Sequence, residues 1–248
     1  MKETRLIMGM PIEIEIVGDN PKNVLEAAFA YLVAVEERFS VYKEESEISR
    51  MNRGELPRAA SSEEMKEVFA LGEKTKRESQ GYFDICKPNG LIDPSGIVKG
   101  WAIKNTAALI HTKGYENYFV NAGGDIAMNG KNTEGKEWSV GIRNPFSINE
   151  IVKVVYPKGC GIATSGSYIR GDHIYNPHAP EEKIQEIVSI TVIGPDVLEA
   201  DRFATAAFAM GKGGIEFIER LPGFEGYMID AKGVATMTSG FEAYTVAT

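Results

Sequence analysis

Between Tyr118 and Ile193 the chain carries six strand-patterned segments in succession: Tyr118–Val120, Asp125–Asn129, Trp138–Ile142, Ile151–Tyr156, Gly161–Ser165 and Ile187–Ile193. A doubly wound parallel sheet needs strands and helices to alternate, because each parallel crossover takes a helix. This order breaks that alternation. Before the block, Pro21 to about Ser40 reads as a helix: Val24, Ala27, Ala28, Tyr31, Leu32, Val35 and Phe39 recur at helical spacing, and Pro21 suits a first helical position. Ser61 and Glu64 form a capping box for a helix from Ser62 to about Ser79, stopped by Gly81. A third runs from about Ile97 to Lys113, with Gly114 as C-cap. After the block, Asp196 caps a helix to about Met210, and Gly213–Leu221 is a short one. Tyr227–Ile229, Val234–Thr238 and Phe241–Thr245 close the chain as strands. Near the start, Ile12, Ile14 and Ile16 alternate with Glu13 and Glu15, the pattern of a half-buried strand. The expected class is α+β, with largely antiparallel sheets flanked by helices. No repeat, low-complexity stretch or linker divides residues 1–248, so a single domain is expected.

Composition narrows the chemistry. With 43% hydrophobic and 25% charged residues the chain is an ordinary globular one, and a net charge of −8 argues against nucleic acid as a partner. Neither GxGxxG nor GxxxxGK[ST] occurs, which leaves Rossmann and P-loop nucleotide sites unsupported. Cys86 and Cys160 lie far apart without a CxxC, and His111, His173 and His178 form no HExxH. Any metal is then expected on oxygen ligands, which suits Mg2+, Ca2+ or Mn2+. The longest apolar run, Ala27 to Val35, is too short to span a bilayer, and the N-terminus lacks a signal peptide's apolar stretch. The expectation is a cytoplasmic chain with no membrane partner.

Five constellations have chemical potential. Asp201 and Thr205, four residues apart on one helix face, can chelate a hard cation and leave positions for phosphate oxygens. On spacing alone the simpler reading is an Asp complementing the helix dipole and a Thr bonding back to a carbonyl, although a carboxylate among Phe203, Ala204, Ala206, Ala207 and Phe208 needs a partner. Asp93-Pro-Ser-Gly-Ile-Val-Lys-Gly100 is a tight turn into a helix whose amides and Lys99 can meet an anion, or merely a capped helix entry. Asn121-Ala-Gly-Gly-Asp125 permits close ligand approach, or is a sharp bend between strands. Ile162-Ala-Thr-Ser-Gly166 puts hydroxyls at a sheet edge; His173 downstream can orient or deprotonate a nucleophile, or be a surface histidine. No GxSxG elbow surrounds Ser165. The stretch Phe39–Asn52 offers Tyr42 for packing on an aromatic ring, or as a core-edge residue before a short helix capped by Ser46.

Taken in order, Met8-Gly9, Phe39–Asn52, Asp93…Lys99-Gly100, Asn121-Ala-Gly-Gly-Asp125, Ala163-Thr-Ser-Gly166, His173-Ile and Ala200-Asp-Arg-Phe-Ala-Thr205 resemble the motif series of the FAD:protein FMN transferases, the ApbE family, from about Met8 to Gly211. The resemblance implies an ApbE-type fold with a T-fold-like unit, FAD as substrate in a cleft, Mg2+ at its pyrophosphate, and transfer of FMN to a threonine hydroxyl of an acceptor flavoprotein with release of AMP. It implies metal ligation by Asp201, Thr205 and the backbone carbonyl of Gly96. It also implies flavin-nucleotide contacts from Met8, Tyr42, Asp93, Lys99, the loop Ala122, Gly123, Gly124 and Asp125, and from Thr164 and Ser165. His173 matches the histidine that activates the acceptor hydroxyl, and Asp201 is the second expected catalytic residue. The chain departs from the pattern in lacking an insert between Phe83-Asp84 and Asp93, and in carrying Asn176-Pro177-His178-Ala-Pro where Asp-Pro and Thr-Gly are usual. Two rivals are an FAD pyrophosphatase giving FMN and AMP, which would use the same metal site, and a non-catalytic flavin-binding or assembly protein, whose mark would be loss of Asp201 or Thr205, both present here. An oligomer is compatible with every one of these readings.

Overall fold

The computed structural model describes residues 1–167 and 174–246. It opens on a hairpin of β1 (Lys2–Ile7) and β2 (Met10–Val17), joined through Met8 and Gly9 at φ 55° and 69°. Two central residues with positive φ give a turn whose twist matches that of the strands it joins. Three helices follow, α1 (Lys22–Phe39), α2 (Glu47–Asn52) and α3 (Glu63–Glu78), and then α4 (Ser95–Thr112). The strand block is β3 (Asn117–Ala122), β4 (Asp125–Asn129), β5 (Val140–Asn144), β6 (Ser147–Val155), β7 (Gly161–Gly166) and β8 (Ile187–Gly194). Helices α5 (Val197–Ala209) and α6 (Gly213–Glu219) and strands β9 (Glu225–Asp230) and β10 (Ala235–Met237) complete the order.

Eight strands make one sheet, β1-β2-β3-β4-β7-β8-β9-β10, with every neighbouring pair antiparallel, while β5 and β6 form a separate hairpin. The expected antiparallel α+β class is what forms. Period-two alternation sorts the side chains. On β2, Ile12, Ile14 and Ile16 are wholly buried on the helix side, and Glu13 and Glu15 face outward. On the central strands both faces are covered. Ala127, Ala163, Val192 and Met228 join the main core beneath the helices, whereas Ile126, Ile162, Ile193 and Tyr227 join a second, smaller core. That second core is closed by Val140, Ile142 and Val155 of the β5–β6 hairpin and by Phe241. Helices therefore cover one face and a hairpin the other. Between β4 and β7 the register has one Cα pair, Ile126 with Ile162, because the chain leaves the sheet there to build the hairpin.

Three local expectations change. The α3 cap is Ser62, not Ser61: Ser62 Oγ accepts the Met65 N–H at 3.2 Å, and the reciprocal acceptor is Glu47 of α2, which takes the Ser62 N–H at 2.6 Å. Phe241–Tyr244 is a 3-10 turn rather than a strand, because only Phe241 enters the core while Glu242 and Ala243 stay exposed. β1 adds an edge strand in which Lys2, Thr4 and Leu6 are exposed and Glu3 and Arg5 half-buried, so the sequence carries no apolar alternation to mark it. Among the described residues no helix is long and apolar enough to cross a membrane.

Arg202 ties α5 to α3. It is 2% exposed, pairs with Glu78 and Glu199, and stacks its guanidinium 3.9 Å from the centre of the Phe203 ring. Arg202→Met is expected to cost about 2 kcal/mol in urea unfolding. Breaking a fully buried pair costs more, but Glu78 and Glu199 are 39% and 21% exposed and can be rehydrated.

Candidate active site

Helices α4 and α5 cross against β3, β4 and β7, and a cleft of about 1020 Å3 opens between them, the β5–β6 hairpin and residues 174–177. Its volume is at the upper end for small-molecule sites. At its floor is Asp201, in the second turn of α5 and 2% exposed. Asp201 Oδ2 accepts the Gly100 N–H at 2.8 Å, and Oδ1 lies 3.4 Å from Lys99 Nζ. Lys99 also pairs with Asp125, which is wholly buried and accepts the Thr164 N–H at 3.0 Å. One ammonium thus stands against two buried carboxylates.

Glycines allow this approach. A Cβ on Gly100 would lie 2.8 Å from Asp201 Cβ and 3.0 Å from Leu198 Cα, so α4 and α5 meet backbone to backbone here. A regular helix directs the N–H of residue 100 to the carbonyl of residue 96. Here Asp201 draws on the same N–H, so Gly96 shares its helical donor with a carboxylate from another helix. Gly96 borders Thr205: a Cβ built on it falls 3.6 Å from Thr205 Cγ2. The Thr205 hydroxyl is 3.4 Å from that of Ser165, and Thr164 Oγ1 is 2.8 Å from Thr191 Oγ1. Gly123 and Gly124 turn between β3 and β4 at φ 62° and 102°, a conformation that suits glycine and leaves the backbone bare toward the cleft.

Burial pushes the Asp201 carboxyl well above the ordinary carboxylate range; Lys99 opposes the rise and Asp125 adds to it. Burial acts the same way on Asp93, but there the Lys87 ammonium at 2.6 Å and the Ser95 N–H outweigh it and hold the carboxyl below its usual range. Among the described residues no three His, Cys, Asp or Glu side chains gather as a metal-ligand set. The carboxylate of Asp201, the hydroxyl of Thr205 and the carbonyl of Gly96 are the oxygen groups that could hold a cation here, and all three residues line the cleft. These are hard oxygen donors of low total charge, and they fit an ion that also takes phosphate oxygens.

Of the residues expected from sequence, Asp93, Gly96, Lys99, Gly123, Gly124, Thr164, Ser165, Asp201 and Thr205 line the cleft. Asp125 joins them through Lys99 and Thr164. Three expected contacts stand off the cleft wall. Met8 sits in the β1–β2 turn, where its N–H meets Glu36 Oε1 at 3.0 Å and its side chain packs on the main core. Ala122 is 2% exposed because strand alternation turns it into that core. Tyr42, between α1 and α2, is 94% exposed and so is neither a cleft residue nor a core-edge one. His173 lies outside the described residues.

Sequence reading missed other contributors. Asn52 at the end of α2 clamps Ile92, donating to its carbonyl at 2.9 Å and accepting its N–H at 2.8 Å, which sets the chain just before Asp93. Its place within the stretch Phe39–Asn52 was the available signal. Lys87, Tyr175 and the β5–β6 hairpin wall the cleft without any local signature. Asn176, standing where an Asp is usual, accepts the His178 N–H through Oδ1 at 2.9 Å; an amide oxygen makes this turn as a carboxylate does.

Residues 8–87 and 86–228 match the ApbE family. An FAD:protein FMN transferase of Klebsiella pneumoniae (strain 342) is 34% identical over 155 residues, covering 59% of this chain and 44% of that protein. One from Escherichia coli (strain K12) is 31% identical over 190 residues, covering 72% of this chain and 54% of that protein. The chain spans about half the length of these curated relatives. Among solved structures, the ApbE protein of Thermotoga maritima superposes with a TM-score of 0.88 at 20% identity over 99% of both chains. The flavin transferase ApbE of Vibrio cholerae does so with 0.86 at 22% over 98% of both. At those identities the superpositions establish the shared fold, and the sequence match, running through the residues at the cleft floor, establishes the lineage: the chain belongs to the ApbE family.

Proposed function

We propose that this protein transfers FMN from FAD to a threonine hydroxyl of an acceptor flavoprotein and releases AMP, with Mg2+ as cofactor. The observation that carries the reading is the grouping of Asp201, Thr205 and Gly96 at the floor of a dinucleotide-sized cleft, in a family whose curated relatives are named FAD:protein FMN transferases.

In this reading the acceptor oxygen forms a bond to the FMN-side phosphorus. The pyrophosphate P–O bond breaks, and AMP departs with the bridging oxygen. Asp201, Thr205 and the Gly96 carbonyl would hold the cation. The chemistry a divalent ion would supply there is neutralisation of the charge growing on the nonbridging oxygens and on the departing AMP. Lys99 keeps a positive charge beside Asp201 and Asp125. The bare backbone at Gly123 and Gly124 lets the dinucleotide lie close to the sheet, and Thr164, Ser165 and Asp93 offer it polar contacts. His173 is assigned to take the proton from the acceptor hydroxyl.

The test incubates the protein with FAD and Mg2+, with and without an acceptor flavoprotein domain. A fluorescent acceptor band on a denaturing gel and AMP release that depends on the acceptor are the expected results, and EDTA is expected to cut the rate on the order of 10^3-fold. Release of free FMN and AMP without an adduct would make the protein a pyrophosphatase. Stoichiometric FAD retention without AMP would make it a flavin carrier.

A further inference from the structure

The segment from Ile174 to His178 walls the cleft and is anchored at both ends. Ile174 packs against the main core. The Ala179 N–H closes a turn onto Asn176 O at 3.0 Å, around Pro177. The His178 ring donates from Nε2 to the carbonyl of Gln80 at 3.0 Å and meets Tyr82 edge-on, with 4.5 Å between centroids. This seat exists because Gly81, at φ 86°, has no side chain: a Cβ there would come within 3.2 Å of His178 Cε1. The wall is thus buckled to the C-terminal end of α3.

Tyr175 sits in the middle of this wall and lines the cleft, and its hydroxyl oxygen is shielded from water with no hydrogen-bond partner among the described residues. Nearby carboxylates are already engaged. Asp84 accepts the Cys86 N–H at 2.8 Å and pairs with Lys76 at 2.6 Å. Asp93 accepts the Ser95 N–H at 3.1 Å and pairs with Lys87 at 2.6 Å. Burial raises the phenol above its ordinary value, so the group is a neutral O–H near pH 7. A shielded hydroxyl without a partner weakens a fold rather than supporting it, and phenylalanine would give the same wall without that cost. A tyrosine placed so rigidly points to a partner that arrives with the ligand.

We propose that Tyr175 is a substrate-binding residue whose hydroxyl donates a hydrogen bond to an acceptor atom of FAD in the cleft. The inference rests on the reading of the cleft as an FAD site. Its test is Tyr175→Phe, with FAD titrated calorimetrically in the presence of Mg2+ and the melting temperature of the ligand-free protein measured in parallel. The expected result is an FAD Kd raised about 5- to 10-fold, the size of one lost hydrogen bond. The ligand-free melting temperature is expected to stay the same or rise by about 2 °C. An unchanged Kd, or a melting temperature that falls because the hydroxyl serves the fold, overturns the proposal. A wild-type protein that binds no FAD would overturn the functional reading itself, an outcome separate from wild-type binding that the variant matches.

Discussion

On the proposed function, replacing Asp201 with asparagine is expected to lower flavin transfer on the order of 10^3-fold and to leave the fold standing, because it would remove a charged ligand of the proposed cation, a loss worth several kcal/mol at the reacting phosphate. The two halves of this expectation have different causes. Structurally, the amide oxygen can accept the Gly100 N–H in place of Oδ2, and the side chain keeps its volume between α4 and α5. Without a cation the buried carboxylate is an expensive group: burial disfavours its ionised form, and Asp125 stands beside it. Its neutral counterpart is therefore expected to melt within about 1 kcal/mol of wild type. Chemically, an amide is a poor ligand for a hard dication, and its NH2 group would turn toward the Lys99 ammonium, which Asp201 Oδ1 now faces at 3.4 Å. The checks are the transfer rate and the rise in melting temperature on adding Mg2+. That rise should be present in wild type and absent in the variant. A variant that keeps both would remove Asp201 from the metal site.

Gly100→Ala should reduce transfer about 10^2-fold while costing only about 1–2 kcal/mol of stability. One added methyl group has its atom 2.8 Å from Asp201 Cβ and 3.0 Å from the Leu198 backbone. A backbone cannot swing aside as a side-chain tip can, so α5 must move relative to α4. Overpacking of this kind costs about 1–3 kcal/mol, and the helix propensity of alanine over glycine returns about 1 kcal/mol. Activity falls further than stability because α5 carries Asp201 and Thr205 while α4 carries Gly96 and Lys99. A displacement of about 1 Å between the two helices moves Asp201 and Thr205 away from Gly96 and Lys99, and misplacement of that size can cost 10^2-fold. Urea unfolding and the transfer rate, measured on the same preparation, check the two magnitudes. A full rate in a protein of lowered stability would show that the site tolerates the shift.

Much of the fold was legible because its signals are local. Asp196 caps α5 by accepting the Glu199 N–H at 3.0 Å, and Gly114 at φ 89° follows α4; both are features of a single turn of chain. The alternation of Ile12, Ile14 and Ile16 marked β2 because one face of that strand is wholly buried. Where a signal depends on a distant segment, the reading slipped. The α3 cap moved from Ser61 to Ser62 because Glu47, on another helix, supplies the reciprocal acceptor. Phe241 looked like part of a strand, but its ring is drawn into the second core beside Tyr227, 5.4 Å between centroids. β1 was not read at all, since an edge strand with polar residues on both faces leaves no pattern.

The site divides along the same line. The pairing of Asp201 with Thr205 could be read directly, because 3.6 residues per turn puts positions four apart on one face whatever surrounds the helix. The glycines at 123 and 124 were equally plain, and the lack of CxxC and HExxH in the sequence directed the expectation toward oxygen donors. Tertiary packing alone decided which of these groups meet. Gly100 and Asp201 touch across 101 positions of chain, Thr164 and Asp125 across 39, and Tyr42, which looked equally eligible, ended 94% exposed. Periodicity and capping act over a few residues, whereas contact between distant elements follows from how two helices seat on a sheet, and no short stretch of chain carries that information.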